Sequence, residues 1–492
     1  MNVLLVYPEF PDTFWSFKYA LQFIRKRASL PPLGLLTVAA MLPDEWGKRL
    51  VDLNVRKLTE ADLEWSDMVF VSAMAVQREA ARAVIARSKA AGKKVIAGGP
   101  LFIHEYQDFR DVDHFVLNEA ELTLPPFLAD LEEGCAQPVY SSTAFADTEQ
   151  TPAPLWRLLD LKQYATMAIQ FSRGCPYNCD FCNVTVLLGH RPRLKTAQQI
   201  ITELDALYNL GWRQNVFFVD DNLIGNKRVL KESLLPALIQ WRKGKSGMTF
   251  HTEASINLAD DEELMRLMAE AGFDMVFIGI ETPSEESLAE CGKKHNRNRD
   301  LIEDIKRIQR HSLQVQGGFI IGFDSDTPSI FQRQIEFIQN SGIVTAMVGL
   351  LQAPMGTRLY QRLAGEGRLL GAFSGDNVDG MTNIIPKMSL DVLHKGYENV
   401  IRSLYTPNNY YARVKTFLRE YRPPRFGVPL SGQHVLALFR SIGRLGIAGH
   451  ERAQYWKLFF WALFRKPRLF PMAITFAIYG YHFRQVCDLH VV

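Results

Sequence analysis

The chain has 492 residues, 47% apolar and 22% charged, with 56 Lys and Arg against 53 Asp and Glu. That length exceeds one ordinary core and implies two or three domains. The near-neutral net charge of +3 gives no electrostatic case for nucleic acid as a partner, and six cysteines without regular spacing exclude a disulfide framework and suit a reducing cytoplasm.

The first residues, Met1-Asn2-Val3-Leu4-Leu5-Val6, lack a basic leader and read as a strand rather than a signal peptide. The pattern predicts strands at 3–6, 49–53, 68–72, 94–97 and 114–117, with helices at 33–42 and 78–91, the second stopped by Gly92. This alternation specifies an α/β unit over residues 1–135, a doubly wound, Rossmann-like parallel sheet with helices on both faces. Ligands of such sheets bind at the carboxyl ends of the strands. Gly98-Gly99-Pro100 stands at one such end, where a missing Cβ lets a large ligand approach the backbone.

Residues 136–165 are polar and proline-bearing and read as a linker. Over 166–372 the alternation resumes, with strands expected at 168–172, 215–220, 249–253, 275–280, 316–322 and 346–351, and helices such as 196–210 and 260–271 between them. Six such units predict a partial (β/α)6 barrel. Residues 373–492 read as a helical C-terminal domain. Its apolar runs 458–464 and 469–481 are split by Arg465-Lys466-Pro467-Arg468, so neither reaches the roughly 18 residues that span a bilayer. Two readings stay open there: a buried helix pair, or peripheral membrane contact with aromatics down and basic groups up.

The most specific chemistry lies in Arg173-Gly174-Cys175-Pro176-Tyr177-Asn178-Cys179-Asp180-Phe181-Cys182. Three thiolates at this spacing can hold three corners of a [4Fe-4S] cluster and leave the fourth iron without a protein ligand. A structural zinc site needs a fourth ligand and usually a second Cys pair, and Cys135, Cys291 and Cys487 stand alone. The cluster run follows the first barrel strand, as expected where active groups sit on the loops after strands. Asp220 and Asp221 end the second strand. They suit a ligand's ammonium group, although Asp221 and Asn222 are also good helix caps. Glu253 and Glu281 end the third and fourth strands and suit ribose hydroxyls or an amino group. Gly318, in the fifth strand, would let the backbone approach an adenine ring.

The Cys run, with an aromatic residue before its last Cys, resembles the signature of the radical S-adenosylmethionine (radical-SAM) enzymes. The whole chain is similar to the cobalamin-binding branch of that family. The marks in the N-terminal unit are Pro31-Pro32-Leu33-Gly34, the loop Ser72-Ala73-Met74-Ala75-Val76, Gly98-Gly99-Pro100 and Glu119-Ala120-Glu121. The segments Val219-Asp220-Asp221-Asn222-Leu223-Ile224-Gly225 and Thr252-Glu253-Ala254-Ser255-Ile256-Asn257-Leu258 resemble the sub-branch of the hopanoid C-2 methylase. The resemblance implies a [4Fe-4S] cluster on Cys175, Cys179 and Cys182, S-adenosylmethionine on its open iron, and cobalamin held by Ser72, Met74, Gly98, Gly99, Pro100 and Glu119. Two departures stand out. The Asp-x-His-x-x-Gly motif that supplies a lower cobalt ligand is absent, which puts the Met74 loop near the lower face of the cofactor. Asn118 also stands where relatives carry glycine before Glu119. The implied activity is methylation of an unactivated carbon on a small-molecule, lipid-like or polycyclic substrate, with a reductant such as flavodoxin or ferredoxin. A radical cyclase or oxidase without methyl transfer, and a non-catalytic cobalamin sensor, are the rival readings.

Overall fold

The computed structural model describes residues 1–376, 378–424 and 432–490. In the N-terminal unit, strands β1 (Asn2–Tyr7), β2 (Gly47–Asp52), β3 (Met68–Ser72), β4 (Lys94–Gly98), β5 (His114–Val116) and β6 (Val139–Tyr140) form one parallel sheet in the order β2-β1-β3-β4-β5-β6. Its inner strands β1, β3 and β4 are apolar runs because both faces are covered, while the edge strand β2 carries Lys48 and Arg49. The order reverses between β1 and β3, so the ligand crevice of such a sheet opens at Pro8 and at the loop after Ser72.

Residues 136–165 are not a free linker. Val139 and Tyr140 add the sixth strand. Beyond them Leu155 N–H bonds to Leu36 O at 3.0 Å, Trp156 is buried, and the Tyr164 hydroxyl bonds to Asp52 at 2.9 Å. Proline marks a break in periodicity; it does not decide whether the segment packs.

The second unit contains β7 (Met167–Ile169), β8 (Ser172–Arg173), β9 (Arg193–Leu194), β10 (Val216–Phe218), β11 (Phe250–Glu253), β12 (Phe273–Glu281), β13 (Gln314–Ile321) and β14 (Ala346–Leu350). Six of these pair in parallel in the order β14-β13-β12-β11-β10-β7, an open barrel wall with the helices outside, while β8 and β9 form a separate antiparallel pair. The strand expected at 168–172 breaks after Ile169. The reason is local: the N–H groups of Phe171 and Ser172 are taken by the Asp220 carboxylate, not by a strand ladder.

The C-terminal helices, Leu390–Tyr405, Pro407–Glu420, Gly432–Ser441, Arg452–Arg465 and Phe470–His490, share one apolar core with the barrel. Tyrosine hydroxyls close the free edge of β14: Tyr397 donates to Val348 O at 3.1 Å and Tyr405 to Ala346 O at 2.6 Å. Among the described residues no helix is long and apolar enough to cross a membrane.

A short segment after β1 joins all three units. Phe14 stacks on Phe483 at 4.2 Å, and its carbonyl lies 3.0 Å from His482 Nε2. Trp15 turns the other way, with its indole N–H 3.1 Å from Met347 Sδ of β14 and its ring edge-on to Phe277 of β12 at 5.4 Å. Phe14→Ala removes a buried ring from this joint and is expected to cost about 3–5 kcal/mol. That would lower the thermal unfolding midpoint by several degrees, and an unchanged midpoint would show that the segment does not hold the units together.

Candidate functional site: a cysteine loop between two ligand-binding edges

The cysteine loop is closed at its neck by pairing of β8 with β9, where Arg173 faces Arg193. Gly174 begins it at φ +95°, and a Cβ there would meet the carbonyl oxygens of Arg191 and Gly189, each at 2.9 Å. Only glycine fits that turn. Outside contacts then fix the loop. The Tyr177 ring stacks on His295 at 3.7 Å and its hydroxyl accepts from Asn257 at 2.9 Å. Asp180 N–H bonds to Cys291 O at 3.0 Å, and its carboxylate pairs with Arg358 at 2.6 Å.

The three thiols are partly buried, and burial raises the pKa of each, to about 11 for Cys179 and about 12 for Cys182. A desolvated thiol is a poor free nucleophile and a good partner for a metal that takes it as thiolate, so the donor set fits a three-thiolate cluster with one open iron. Cys291, which backs onto the loop, directs its thiol at Leu288 O at 3.7 Å inside a small apolar cluster; it packs as a hydrophobe.

Around this loop the acidic residues separate into engaged and free. Asp220 is wholly buried. Its carboxylate accepts the Phe171 N–H at 3.0 Å, the Ser172 hydroxyl at 2.5 Å and the Ser172 N–H. It ties β10 to the entrance of the cysteine loop, and the expectation that it holds a ligand's ammonium group gives way to this positioning role. Glu281, in the left-handed region at φ +66°, is paired with buried Lys293. Burial opposes the Lys293 charge, but Glu281 and the nearby Cys179 outweigh it and hold its pKa above the ordinary value. Glu281 is therefore no free ribose ligand, and its partner brings a positive charge to the cysteines, which no motif announced.

Asp221 and Glu253 remain. Both are half-buried, and no side chain of the described residues donates a hydrogen bond to either carboxylate. Burial raises Asp221 to about 6 and Glu253 to about 8, the latter helped by repulsion from Asp221 and Asp220. Such a pair of desolvated carboxylates favours a cationic ligand. Asn222, expected as a cap, instead accepts the Ser255 N–H at 3.2 Å and points its amide at Cys175 Sγ, 4.0 Å away. Gly318 is filled by protein: a Cβ there would lie 2.7 Å from the Phe277 ring, so its space serves packing rather than an adenine.

At the edge of the N-terminal sheet, Gly99 has φ +92°, and a Cβ would lie 2.5 Å from Ser72 Oγ. The Ser72–Met74 loop, Gly98 and Pro100 thus form one tightly packed rim. Gln77 braces it, accepting the Met74 N–H at 2.9 Å and donating to Pro8 O at 2.6 Å across the switch between β1 and β3. This leaves the Met74 side chain 47% exposed at the crevice, while Gly34 has open space beside it. An apolar side chain presented at an open ligand edge, with no imidazole beside it on that loop, fits a corrinoid held without a histidine ligand.

Glu119 departs from expectation. Its carboxylate accepts from Arg193 twice at 2.9 Å, from Arg173 at 3.1 Å and from the Ala146 N–H at 2.6 Å, while Glu121 accepts from Arg173 at 2.7 and 3.1 Å. The Glu-x-Glu pair clasps the neck of the cysteine loop and leaves no oxygen of Glu119 for cobalamin. Asn118 adopts φ +65°, the left-handed conformation that asparagine tolerates best after glycine. The cysteine-bearing segment and the N-terminal unit meet at Gly356 (φ +85°), where a Cβ would stand 3.0 Å from Val186, just past Cys182, and 3.4 Å from His104 of the N-terminal unit.

Residues 169–338 match the Radical SAM superfamily, residues 26–128 the B12 binding domain, and residues 357–491 a domain of unknown function, DUF4070. An uncharacterized methyltransferase of Synechocystis is 40% identical over 99% of this chain and 92% of its own length. The hopanoid C-2 methylase of Rhodopseudomonas palustris is 34% identical over 93% of this chain and 88% of its own. Among solved structures, the cobalamin-dependent S-adenosylmethionine radical enzyme OxsB, with aqua-cobalamin and S-adenosylmethionine bound, superposes with a TM-score of 0.63 at 13% identity, over 100% of this chain and 84% of its own.

The Glu253 carboxyl gives a pH test. Its folded pKa of about 8 lies above the usual 4.5, so the folded protein keeps a proton that the unfolded chain has released between those values. Stability of the cofactor-free protein is expected to fall as pH rises through that window. Glu253→Gln should flatten the fall, read as the change in thermal midpoint between about pH 5 and pH 8. Equal slopes in the two proteins would rule out a buried, protonated Glu253.

Proposed function

From the premise that this chain belongs to the cobalamin-binding radical-SAM enzymes, in the branch of the hopanoid C-2 methylase, we propose that it methylates an unactivated carbon of a lipid-like or polycyclic small molecule. The chain is a methyltransferase by its relatives, and its cofactors are a [4Fe-4S] cluster, S-adenosylmethionine and cobalamin. When bound, these groups supply one-electron cleavage of a sulfonium to a hydrogen-abstracting radical, and a transferable methyl group.

The chain's own residues supply ligation and placement. Cys175, Cys179 and Cys182 ligate three irons. Asp221 and Glu253 take the cationic or hydroxyl groups of S-adenosylmethionine, and Lys293 offsets the negative charge beside Cys179. Ser72, Met74, Gly98, Gly99 and Pro100 would hold the corrinoid, with the exposed Met74 side chain facing it. No general base is required when hydrogen leaves a saturated carbon as an atom. A one-electron donor such as flavodoxin or ferredoxin serves the cluster. One observation carries the reading: the approach of Val186, His104 and the Gly356 turn, which sets the cysteine loop against the open edge of the N-terminal sheet. The lipid-like substrate class is supported by the named activity of the relative that is 34% identical.

The test is anaerobic turnover of the reconstituted holoenzyme with S-adenosylmethionine, a reductant and a lipid extract of the source cell. Mass spectrometry should find S-adenosylhomocysteine and 5′-deoxyadenosine together with a lipid one methylene heavier, and Cys179→Ala should make no deoxyadenosine. Deoxyadenosine without S-adenosylhomocysteine, alongside a product that has lost hydrogens, would replace methyl transfer by cyclisation or oxidation.

A further inference from the structure

The helix Arg452–Arg465 has one apolar side in the core and an aromatic row among the cations of its other side. Tyr455, Leu458 and Ala462 face the core. On the other side Trp456, Phe460 and Phe464 follow at four-residue spacing, their rings stacked at 5.5 Å and 6.3 Å. Phe460 is 49% exposed and Phe464 77%. The stripe continues onto the neighbouring turn Ile442–Ile447, because the Trp456 indole N–H bonds to Gly446 O at 2.9 Å. There Ile447 is 66% exposed, as is Phe439 two turns earlier. Large exposed rings in a contiguous row are costly in water and mark a face that meets a partner or a non-aqueous phase.

The surroundings of this face are basic. Between 432 and 490 the sequence has eight Lys and Arg against two acids, and one of the acids, Glu451, is buried against Arg484. Arg452, Lys457, Arg465 and Arg468 lie exposed around the aromatic row. Two copies of such a face would repel one another, whereas aromatic rings framed by cations match the headgroup boundary of an anionic bilayer.

We propose that this face, centred on Phe460 and Phe464, docks the protein on the surface of an anionic lipid membrane. The face adjoins the segment that joins the units: Arg440 donates to the carbonyls of Gln22 and Phe23, at 3.1 and 3.0 Å, in the helix that follows Trp15. A docked protein would thus present its N-terminal joint to the bilayer. The inference stands on the surface alone, so its failure would leave the catalytic reading intact.

The test is cosedimentation of the holoenzyme with vesicles of phosphatidylcholine alone and of phosphatidylcholine with phosphatidylglycerol. Binding is expected to the anionic vesicles and to weaken with added salt. The double variant F460S/F464S should bind about tenfold or more weakly. R465Q/R468Q should lose about fivefold per charge, on the anionic vesicles only. Both variants should keep the wild-type thermal midpoint and S-adenosylmethionine cleavage. Absence of binding by the wild type, or equal binding by F460S/F464S, would overturn the proposal. A dimer in solution that F460S/F464S dissolves would overturn it too, by assigning the face to a second copy.

Discussion

Arg173 sits two residues ahead of Cys175 and is held by carboxylates of the N-terminal unit. Glu121 binds its guanidinium at two points and Glu119 at one, and the same Glu119 holds Arg193 at the far side of the loop neck. A single glutamate thus grips both strands that pinch off the cysteine loop. All four side chains are largely buried. Removing one charge from such a network leaves another desolvated and unpaired, which costs several kcal/mol, whereas the intact network adds little net stability over an apolar core. Its value is geometric: it makes the shape of the cysteine loop depend on the docking of the N-terminal sheet.

The same economy governs the barrel mouth. Most polar groups there serve to hold backbone. Asp220 diverts two N–H groups from the β7 ladder, Asn222 holds Ser255, and Lys293 neutralises Glu281. What they leave is a small set of unspent groups, Asp221 and Glu253, whose mutual repulsion and burial bias them toward a cation. The C-terminal helices take part by closing the free edge of β14 and by meeting Phe14 and Phe17 of the joint, so the barrel is one wall of a core shared by all three units.

Much of this was legible in the sequence. Apolar runs marked the inner parallel strands because both sheet faces are covered, and the cysteine spacing marked the loop that β8 and β9 close at its neck. The failures share one cause. Residue type at a strand end shows that a charge is there, not what satisfies it. Asp220 and Glu119 read as ligand-binding because their partners lie 27 to 74 positions away. Gly318 read as room for a base because nothing in the sequence shows that Phe277 fills it. Residues 136–165 read as linker because the contacts of Trp156 and Tyr164 are equally remote. Asn118 was the opposite case: it looked like a departure, and it takes the left-handed conformation that glycine and asparagine share.

The dependence of the cluster loop on the clasp is tested most directly by Glu119→Gln combined with Glu121→Gln in the reconstituted enzyme. The account predicts that cobalamin absorbance is retained, while iron becomes labile to a chelator and S-adenosylmethionine cleavage drops about tenfold or more, as when groups that orient a metal's ligands are removed. Unchanged iron retention and unchanged cleavage in that variant would contradict it.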